Sequence, residues 1–562
     1  MSSPPVPSAL DANTQTFPTL TDAQVARVRA VGKVRKVERG EILFEPGATN
    51  IPFFVVLSGI LEIVQQDIHG ERPVTTHGPG HFTGELNMIS GRRSLVLGRI
   101  SEPGEIIELS PDHFRALISR DAELSDVFMR AFILRRLILV QRGLGNLVLL
   151  GSQHSAQTLR LREFLTRNSH PFVYMDLDAD ADAQELLDRF HVQRNEIPVL
   201  VCGGGHACAL RNPTIQQLAD RLGLNAHIDE THLRDLVIVG AGPAGLAAAV
   251  YAASEGLDAL VIETAAPGGQ AGSSSKIENY LGFPMGISGQ ELANRAIAQA
   301  SKFGAQMMVA HGVGRLDCDK RPYKVVLDTG AEISARAIVI ATGAQYNKPD
   351  IPNLERFEGL GVYYGATNME SQLCKGDEVI VLGGGNSAGQ AAVFLAETTR
   401  KVHMVVRSGR LADTMSRYLI QRIEENPGIE LYYHTELVGL EGDTQLRRVV
   451  WRDKATGQTT SHNIGHLFIM AGANPRTEWL RGCLALDSKG FILTGRDLDS
   501  ANGSSPWKLK RVPQMLETSL PGVFAVGDVR SGNVKRVASA VGEGAISIHM
   551  VHRTLAEADL GS

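Results

Sequence analysis

Cysteine is scarce in this chain: Cys202, Cys208, Cys318, Cys374 and Cys483 are the only five among 562 residues. They are too few and too scattered to read as a disulfide framework, which points to a reducing compartment. An excess of one charge is also lacking. The formal net charge of −5 leaves no whole-chain electrostatic case for nucleic acid or a membrane surface. The most apolar long stretch, residues 128–150, is interrupted by Arg130, Arg135, Arg136 and Arg142, which argues against a spanning helix. The opening MSSPPVPSALDANTQ has neither the basic nor the apolar region of a secretory signal. A cytoplasmic protein without a membrane span is the expectation.

What the chain does have is length for three or four domains and one stretch that organises the rest. Residues 235–263 read DLVIVGAGPAGLAAAVYAASEGLDALVIE. An apolar strand leads into Gly240, Gly242 and Gly245 in G-x-G-x-x-G spacing. An Ala-rich helical pattern opened by Pro243 and Ala244 follows, then a second strand ending in Glu263. The first glycine makes a tight turn, the second lets backbone approach a pyrophosphate, and the third packs helix on strand. The diphosphate then meets the free N–H groups of a helix N-terminus, and Glu263 is placed to accept from a ribose hydroxyl. Strand, glycines, helix, strand and acid in that order predict a dinucleotide site. A second such unit, EVIVLGGGNSAGQAAVFLAE, starts at Glu378 with Gly383, Gly385, Asn386, Ser387 and Ala388. Its next strand ends in Arg407 rather than an acid, with Arg410 close by. Guanidinium suits a ribose 2′-phosphate, so NADPH is expected over NADH; the alternative is a solvated basic turn.

The rest of the chain divides around these units. Residues 1–17 form a Pro/Ser/Thr-rich tail. Residues 18–143 hold short apolar runs between turn signals, predicting an antiparallel β-roll, followed from Ser110-Pro111-Asp112 by helical periodicity to about Gln141. No helix-turn-helix pattern follows, so a transcription factor is disfavoured. Residues 144–225 alternate strand and helix patterns, and 226–234 is a polar linker. The fold class expected is multidomain α/β and α+β: a β-roll plus helices, a central α/β domain and a C-terminal Rossmann-like region. In that region residues 235–350 and 486–562 would form one dinucleotide domain and 351–485 the other.

Three resemblances attach to particular motifs. Within the roll, GHFTGELNMISGRRSL at 80–95 resembles the phosphate-binding cassette of cyclic-nucleotide-binding domains. The resemblance implies that Gly84, Glu85 and Leu86 open the cassette, with Glu85 on the ribose 2′-hydroxyl. Arg93 would pair with the cyclic phosphate of cyclic AMP or cyclic GMP, and Ser94 with nearby N–H groups would complete the anion site. Leu95 stands where that family has a small residue. A roll that keeps its shape with no ligand remains the alternative. Residues 146–225 resemble the glutaredoxin and thioredoxin fold, with Ile197-Pro198 at the family's cis-proline position. Where a C-x-x-C would open the first helix, the chain reads His154-Ser155-Ala156-Gln157, so no thiolate is available there for disulfide exchange. Cys202 and Cys208 flank a Gly-rich turn and read as small hydrophobes.

Residues 234–562 resemble bacterial thioredoxin reductase, a homodimeric FAD- and NADPH-dependent flavoprotein. The resemblance rests on both glycine loops, Gly268-Gly269-Gln270, the IENY run, Ala341-Thr342-Gly343 and GVFAVGDVR. It implies FAD contacts from Gly240, Gly242, Pro243, Ala244, Gly245, Glu263, Gly269, Gln270, Asn279, Val313, Thr342, Gly527, Asp528, Arg536 and Val537. Lys535-Arg536-Val537 stands where the family has Arg-Gln-Ala. The family's Cys-Ala-Thr-Cys is replaced by Gly365-Ala366-Thr367-Asn368. Cys374 is expected to be structural, and His462, His466, His549 and His552 receive no role. No catalytic side chain and no metal are expected, because the cofactor carries the chemistry. The expectation is an FAD-dependent NADPH oxidoreductase passing electrons to a protein, a quinone or dioxygen, gated by a cyclic nucleotide. The alternatives are a redox-sensing scaffold with negligible turnover, and thioredoxin reduction through a partner's cysteines.

Overall fold

Aromatic and β-branched residues crowd Phe53–Asp67 (FFVVLSGILEIVQQD), a composition that fits a pleated, half-buried surface. In the computed structural model this run is the long central strand of an antiparallel roll. The structure describes residues 15–560 except 68–69, 85–87, 89–92, 142–146, 179–186, 188–191, 194–195, 203–207, 226–227, 275–276, 278, 347, 367, 413, 471–472, 501–506 and 508. The chain forms two units: 1–153 with 160–229 and 298–310, and 154–159 with 230–297 and 311–562.

In the first unit the roll comprises β1 (Lys33–Val37), β2 (Ile42–Phe44), β3 (Phe53–Asp67), β4 (Gly70–His77) and β5 (Leu97–Leu109), in the order β1-β5-β3-β4 with β2 on β5. Ser110 accepts from the His113 N–H and Pro111 occupies the first turn, so the helix Pro111–Arg120 starts where the sequence places it. It breaks at Asp121, whose carboxylate accepts from the Leu124 N–H and starts a second helix, Ala122–Gln141. Phe53 stacks on Phe114 at 4.4 Å and meets Phe128 edge-on at 4.9 Å. Each buried ring contributes about 1.5–3 kcal/mol.

The middle segment builds β6 (Leu147–Gly151), β7 (Val173–Asp176), β8 (Val199–Cys202) and β9 (Cys208–Arg211) in the order β7-β6-β8-β9. β6 runs parallel to β7 and antiparallel to β8, the pairing of a thioredoxin-like sheet. The Ile197-Pro198 bond is cis, as the resemblance implies. β9 is an addition to the sequence reading, which passed from the Gly-rich turn straight to the last helix; four residues carry too little periodicity to register. The helix expected over 181–192 lies outside the described residues save for isolated positions. Helices Ala156–Arg167 and Ile215–Leu222 flank the sheet, and Leu161, Phe164, Leu165 and Leu218 bury against β6 and β8. β12 (Gln306–Val309) groups with this unit, and the Asn225 side chain exchanges two 2.9 Å hydrogen bonds with the Val309 backbone.

The second unit is built on β10 (Arg234–Val239), β11 (Ala259–Glu263), β13 (Val313–Asp317), β14 (Tyr323–Leu327) and β15 (Glu332–Ile340). β10 is sandwiched between β11 and β15 in parallel register, with β13 and β14 antiparallel beyond. β16 (Ala344–Tyr346) leads out to β17 (Val362–Tyr363), β18 (Glu378–Leu382), β19 (Lys401–Val405) and β20 (Ile429–Tyr432). Then come the antiparallel β21 (Thr435–Glu441), β22 (Arg448–Asp453) and β23 (Thr459–His462), followed by β24 (Leu467–Ile469). The inserted parallel sheet is β17-β24-β18-β19-β20. β25 (Ala473–Pro475) returns antiparallel to β16, and β26 (Val523–Ala525) joins β15 in parallel. One Rossmann-like unit is thus inserted within another.

Cys318 and Cys483 form a disulfide. The cysteines were expected to be too few and too scattered for a disulfide framework; this one bond is the exception, because a chain separation of 165 residues conceals that the insertion returns its end to β13. Among the described residues no helix is long and apolar enough to cross a membrane, and no group of His, Cys, Asp and Glu is arranged to hold a metal.

Candidate functional site

The first glycine loop is shaped by backbone contacts. Gly240 has φ +103°, and a Cβ there would lie 2.4 Å from the Ala341 carbonyl oxygen. A Cβ on Gly245 would sit 1.9 Å from the Gly240 oxygen. Gly242 differs. Its backbone is extended (φ −73°), and its added Cβ would meet nothing closer than the Gly269 Cα at 3.8 Å. Internal packing therefore does not require glycine at 242, and the space in front of it is open to an outside group. Gly242 caps the helix Pro243–Ser254 with no side-chain hydrogen bond, leaving the N-terminus open to an anion.

Glu263 lies at the end of β11, as expected, and its carboxylate holds this loop. It accepts from Ala241 N–H at 2.8 Å and Ala265 N–H at 3.1 Å. Gly268 N–H donates to the Ala241 carbonyl, and Gly269 (φ +55°) runs so close that its Cβ would meet the Gly242 Cα at 2.9 Å. His311 N–H donates to the Glu263 carbonyl, bringing the chain ahead of Val313 alongside. The turn after β26 comes to the same place, where a Cβ on Gly527 would be 3.0 Å from the Ala244 Cβ. Burial holds the Asp528 carboxyl above its ordinary value, with Lys535 offsetting part of the rise and Glu543 adding to it. Glu543, which the sequence reading missed, fixes this turn by accepting from Gly527 N–H at 2.7 Å and pairing with Arg530. Its only sequence signal is an acid inside a Gly-x-Gly helical stretch.

The structure thus gathers Gly240, Gly242, Pro243, Ala244, Gly245, Glu263, Gly269, Gly527 and Asp528. Thr342 follows Ala341 and donates to the Arg476 carbonyl at 3.2 Å. Gln270, Asn279 and Arg536 are exposed, and Val537 opens the long helix Val537–Leu560.

The second loop repeats the first. Gly383 (φ +147°) presses on the Met470 carbonyl, where a Cβ would lie at 2.4 Å. Gly385 is extended, caps the helix Asn386–Leu395 with no side-chain bond, and would carry a Cβ with nothing nearer than 3.9 Å. Asn386 accepts from Ser416 N–H at 2.8 Å, Ser387 is exposed and Ala388 is fully buried. Arg407 and Arg410 are exposed beyond the end of β19. Both second glycines lack an internal reason to be glycine, and this fits FAD and NADPH, whose diphosphates need that approach.

Of the segment replacing the family's dithiol, Gly365 faces Ser273, Ala366 is buried, and Thr367 lies outside the described residues. Cys374 is buried and donates to the Glu370 carbonyl, and burial pushes its thiol up to about 12, as befits a structural residue. His462 stacks on Trp451, His466 and His552 pair with Asp377 and Glu255, and His549 is exposed.

In the roll, Gly84 has φ +107° and its carbonyl accepts from Arg135 at 2.9 Å; Arg135 also donates to Phe82 and Thr16 carbonyls. Burial lowers the Arg135 guanidinium to about 9, leaving it charged at neutral pH. Glu85 and Leu86 lie outside the described residues. The Ser94 hydroxyl donates to the Val96 carbonyl and its N–H to Ala48, so neither is turned to an anion site in this structure. Arg93 lies against Arg221 and Gly223.

Comparison with known proteins identifies relatives of both halves of the chain. A family model described as pyridine nucleotide-disulphide oxidoreductase matches residues 234–544, more than half of the chain, and one described as cyclic nucleotide-binding domain matches residues 34–121. Thioredoxin reductase of Treponema pallidum is 34% identical over 56% of this chain and 95% of its own. That of Bacillus subtilis is 31% identical over 59% of this chain and 97% of its own. The crystal structure of Lactococcus lactis thioredoxin reductase (FR conformation) shares 29% identity and a TM-score of 0.51 over 58% of this chain and 99% of that one.

Proposed function

Since the chain belongs to the pyridine nucleotide-disulphide oxidoreductase family and is an FAD-containing NADPH oxidoreductase of thioredoxin-reductase type, we propose that it delivers electrons to an acceptor without a dithiol of its own. FAD, when bound, would supply two-electron chemistry between NADPH and the acceptor. The residues supply position and field. Gly242 and Gly385 admit the two diphosphates to open helix ends. Glu263 keeps the first loop in shape, and Glu543 holds the Gly527–Asp528 turn so that Asp528 can meet the ribityl chain. Arg407 and Arg410 select the 2′-phosphate.

The observation that carries this reading is the pair of second glycines whose backbones and surroundings give no internal reason for glycine. Gly365-Ala366-Thr367-Asn368 and His154-Ser155-Ala156-Gln157 offer no thiol, which favours a protein redox centre, a quinone or dioxygen as acceptor. The N-terminal roll would serve as a gate, cyclic AMP or cyclic GMP shifting the first unit between two arrangements. As in the resembling reductases, a homodimer is the proposed assembly.

The test is anaerobic titration with NADPH and with NADH, followed at the flavin absorbance band, and then steady-state turnover with a dye acceptor with and without cyclic AMP or cyclic GMP. Bleaching by NADPH and a nucleotide-dependent rate are expected. Protein that stays colourless in excess FAD sinks the whole reading, and an unchanged rate and KM remove the gate alone. Because Cys374 is buried and no thiol stands at the dithiol position, a scaffold whose redox state controls partner binding is the second reading. Its signature is flavin bleaching without flux to any acceptor.

A further inference from the structure

Arg93 is the cassette residue aligned with a cyclic phosphate, yet its guanidinium already has a partner within the chain. Nη1 donates to the Arg221 carbonyl at 3.4 Å. The group also lies on Gly223, where an added Cβ would stand 2.2 Å from Arg93 Nε and 2.7 Å from Cζ. Gly223 (φ +64°) is the left-handed cap that ends the helix Ile215–Leu222. Carbonyls at a helix C-terminus carry partial negative charge and have no partner within the helix, so they attract cations.

A second arginine repeats the arrangement. Arg136, on the helix Ala122–Gln141, donates to the Ser169 carbonyl just past the end of the helix Ala156–Arg167. Two arginines of the roll module therefore each hold the C-terminal end of a helix of the thioredoxin-like module, and the four residues in contact, Arg93, Arg221, Arg136 and Ser169, lie in the first unit.

We propose that the end of the helix Ile215–Leu222 is an internal competitor for Arg93, so that a cyclic nucleotide binds by drawing Arg93 off Gly223 and loosening the thioredoxin-like module. This rests on the reading of the cassette as a nucleotide site. The exchange has a clear direction. A phosphate offers a full charge and bidentate geometry, whereas the helix end offers about half a charge and the Arg221 carbonyl at 3.4 Å. Only such a difference in contacts can shift the arrangement. Linkage then requires the reverse effect: weakening the docking of the module must tighten nucleotide binding by the same factor.

The experiment is calorimetric titration of the full-length protein with cyclic AMP and with cyclic GMP. Gly223→Asn puts a Cβ where Arg93 now lies while keeping a residue that tolerates the left-handed cap. Arg136→Ala removes the other contact without touching the cassette. Each is expected to bind nucleotide about fivefold or more tightly than the parent, and Arg93→Ala to bind at least tenfold more weakly. Nucleotide should also speed hydrogen exchange of amides 215–225 in the parent. Parent-like affinity in both Gly223→Asn and Arg136→Ala, with unchanged exchange, overturns the competition and leaves the nucleotide site standing. Absence of binding by the parent and by both variants overturns both.

Discussion

A methyl group added at Gly245 would have to share space with the Gly240 carbonyl oxygen, 1.9 Å away. Overpacking of this kind costs about 1–3 kcal/mol, and here the strain falls on the loop proposed to meet the flavin diphosphate. Gly245→Ala should therefore emerge with little flavin, its 450 nm to 280 nm absorbance ratio reduced at least severalfold, and with a lower thermal midpoint. This position was legible from spacing alone, because the motif encodes a close approach of helix to strand. His77 was not. It is buried beside Arg135 and His81, and burial first, then those two neighbours, hold its imidazole well below the ordinary 6.5. Folding keeps the ring neutral while the unfolded chain takes up a proton below about 6.5, so this contribution is present above that pH and is lost as the pH falls below it. The urea midpoint of the first unit should be lower at pH 5.5 than at pH 7.5, with His77→Leu narrowing the gap. An equal gap in the variant would show that the acid sensitivity arises elsewhere.

Among elements, the disulfide and the helix ends show what pattern reading misses. Cys318 follows β13, and Cys483 follows the 3-10 turn Glu478–Leu480; their bond closes a loop spanning 165 residues that contains the whole inserted dinucleotide unit. The chain-entropy relation gives about 5 kcal/mol for such a loop. Cys483→Ser should lower the thermal midpoint by several degrees against the parent under oxidising conditions, and the two should coincide once reductant is present. Peptide mapping without reduction should recover Cys318 joined to Cys483. Neither cysteine carries a local signal, since their neighbourhood exists only after the insertion has folded and returned through β25. Glu543 is a similar case: its role depends on the Gly527 turn reaching the N-terminal end of the helix Pro243–Ser254, a contact between residues far apart in the chain.

For the molecule as a whole, nicotinamide preference and modular order belong together. Arg407→Ala should raise the KM for NADPH about tenfold and leave that for NADH nearly unchanged, in steady-state assays with a dye acceptor. Equal loss for both cofactors would place Arg407 outside the 2′-phosphate site. The strand–glycine–helix–strand units, the roll, the thioredoxin-like alternation and the absent dithiols were all readable in the chain. Each rests on periodicity, spacing or residue identity within about 30 residues. Sequence by itself therefore determined the two dinucleotide units and the roll, and which residues stand at the dithiol positions. Tertiary structure alone decided that Cys318 meets Cys483, that Glu543 holds the turn before Asp528, and that Arg93 rests on a helix end rather than standing free. The physical reason is common to all three. Charge and thiol contacts act over a few ångströms, and only folding brings together groups that lie tens to hundreds of residues apart.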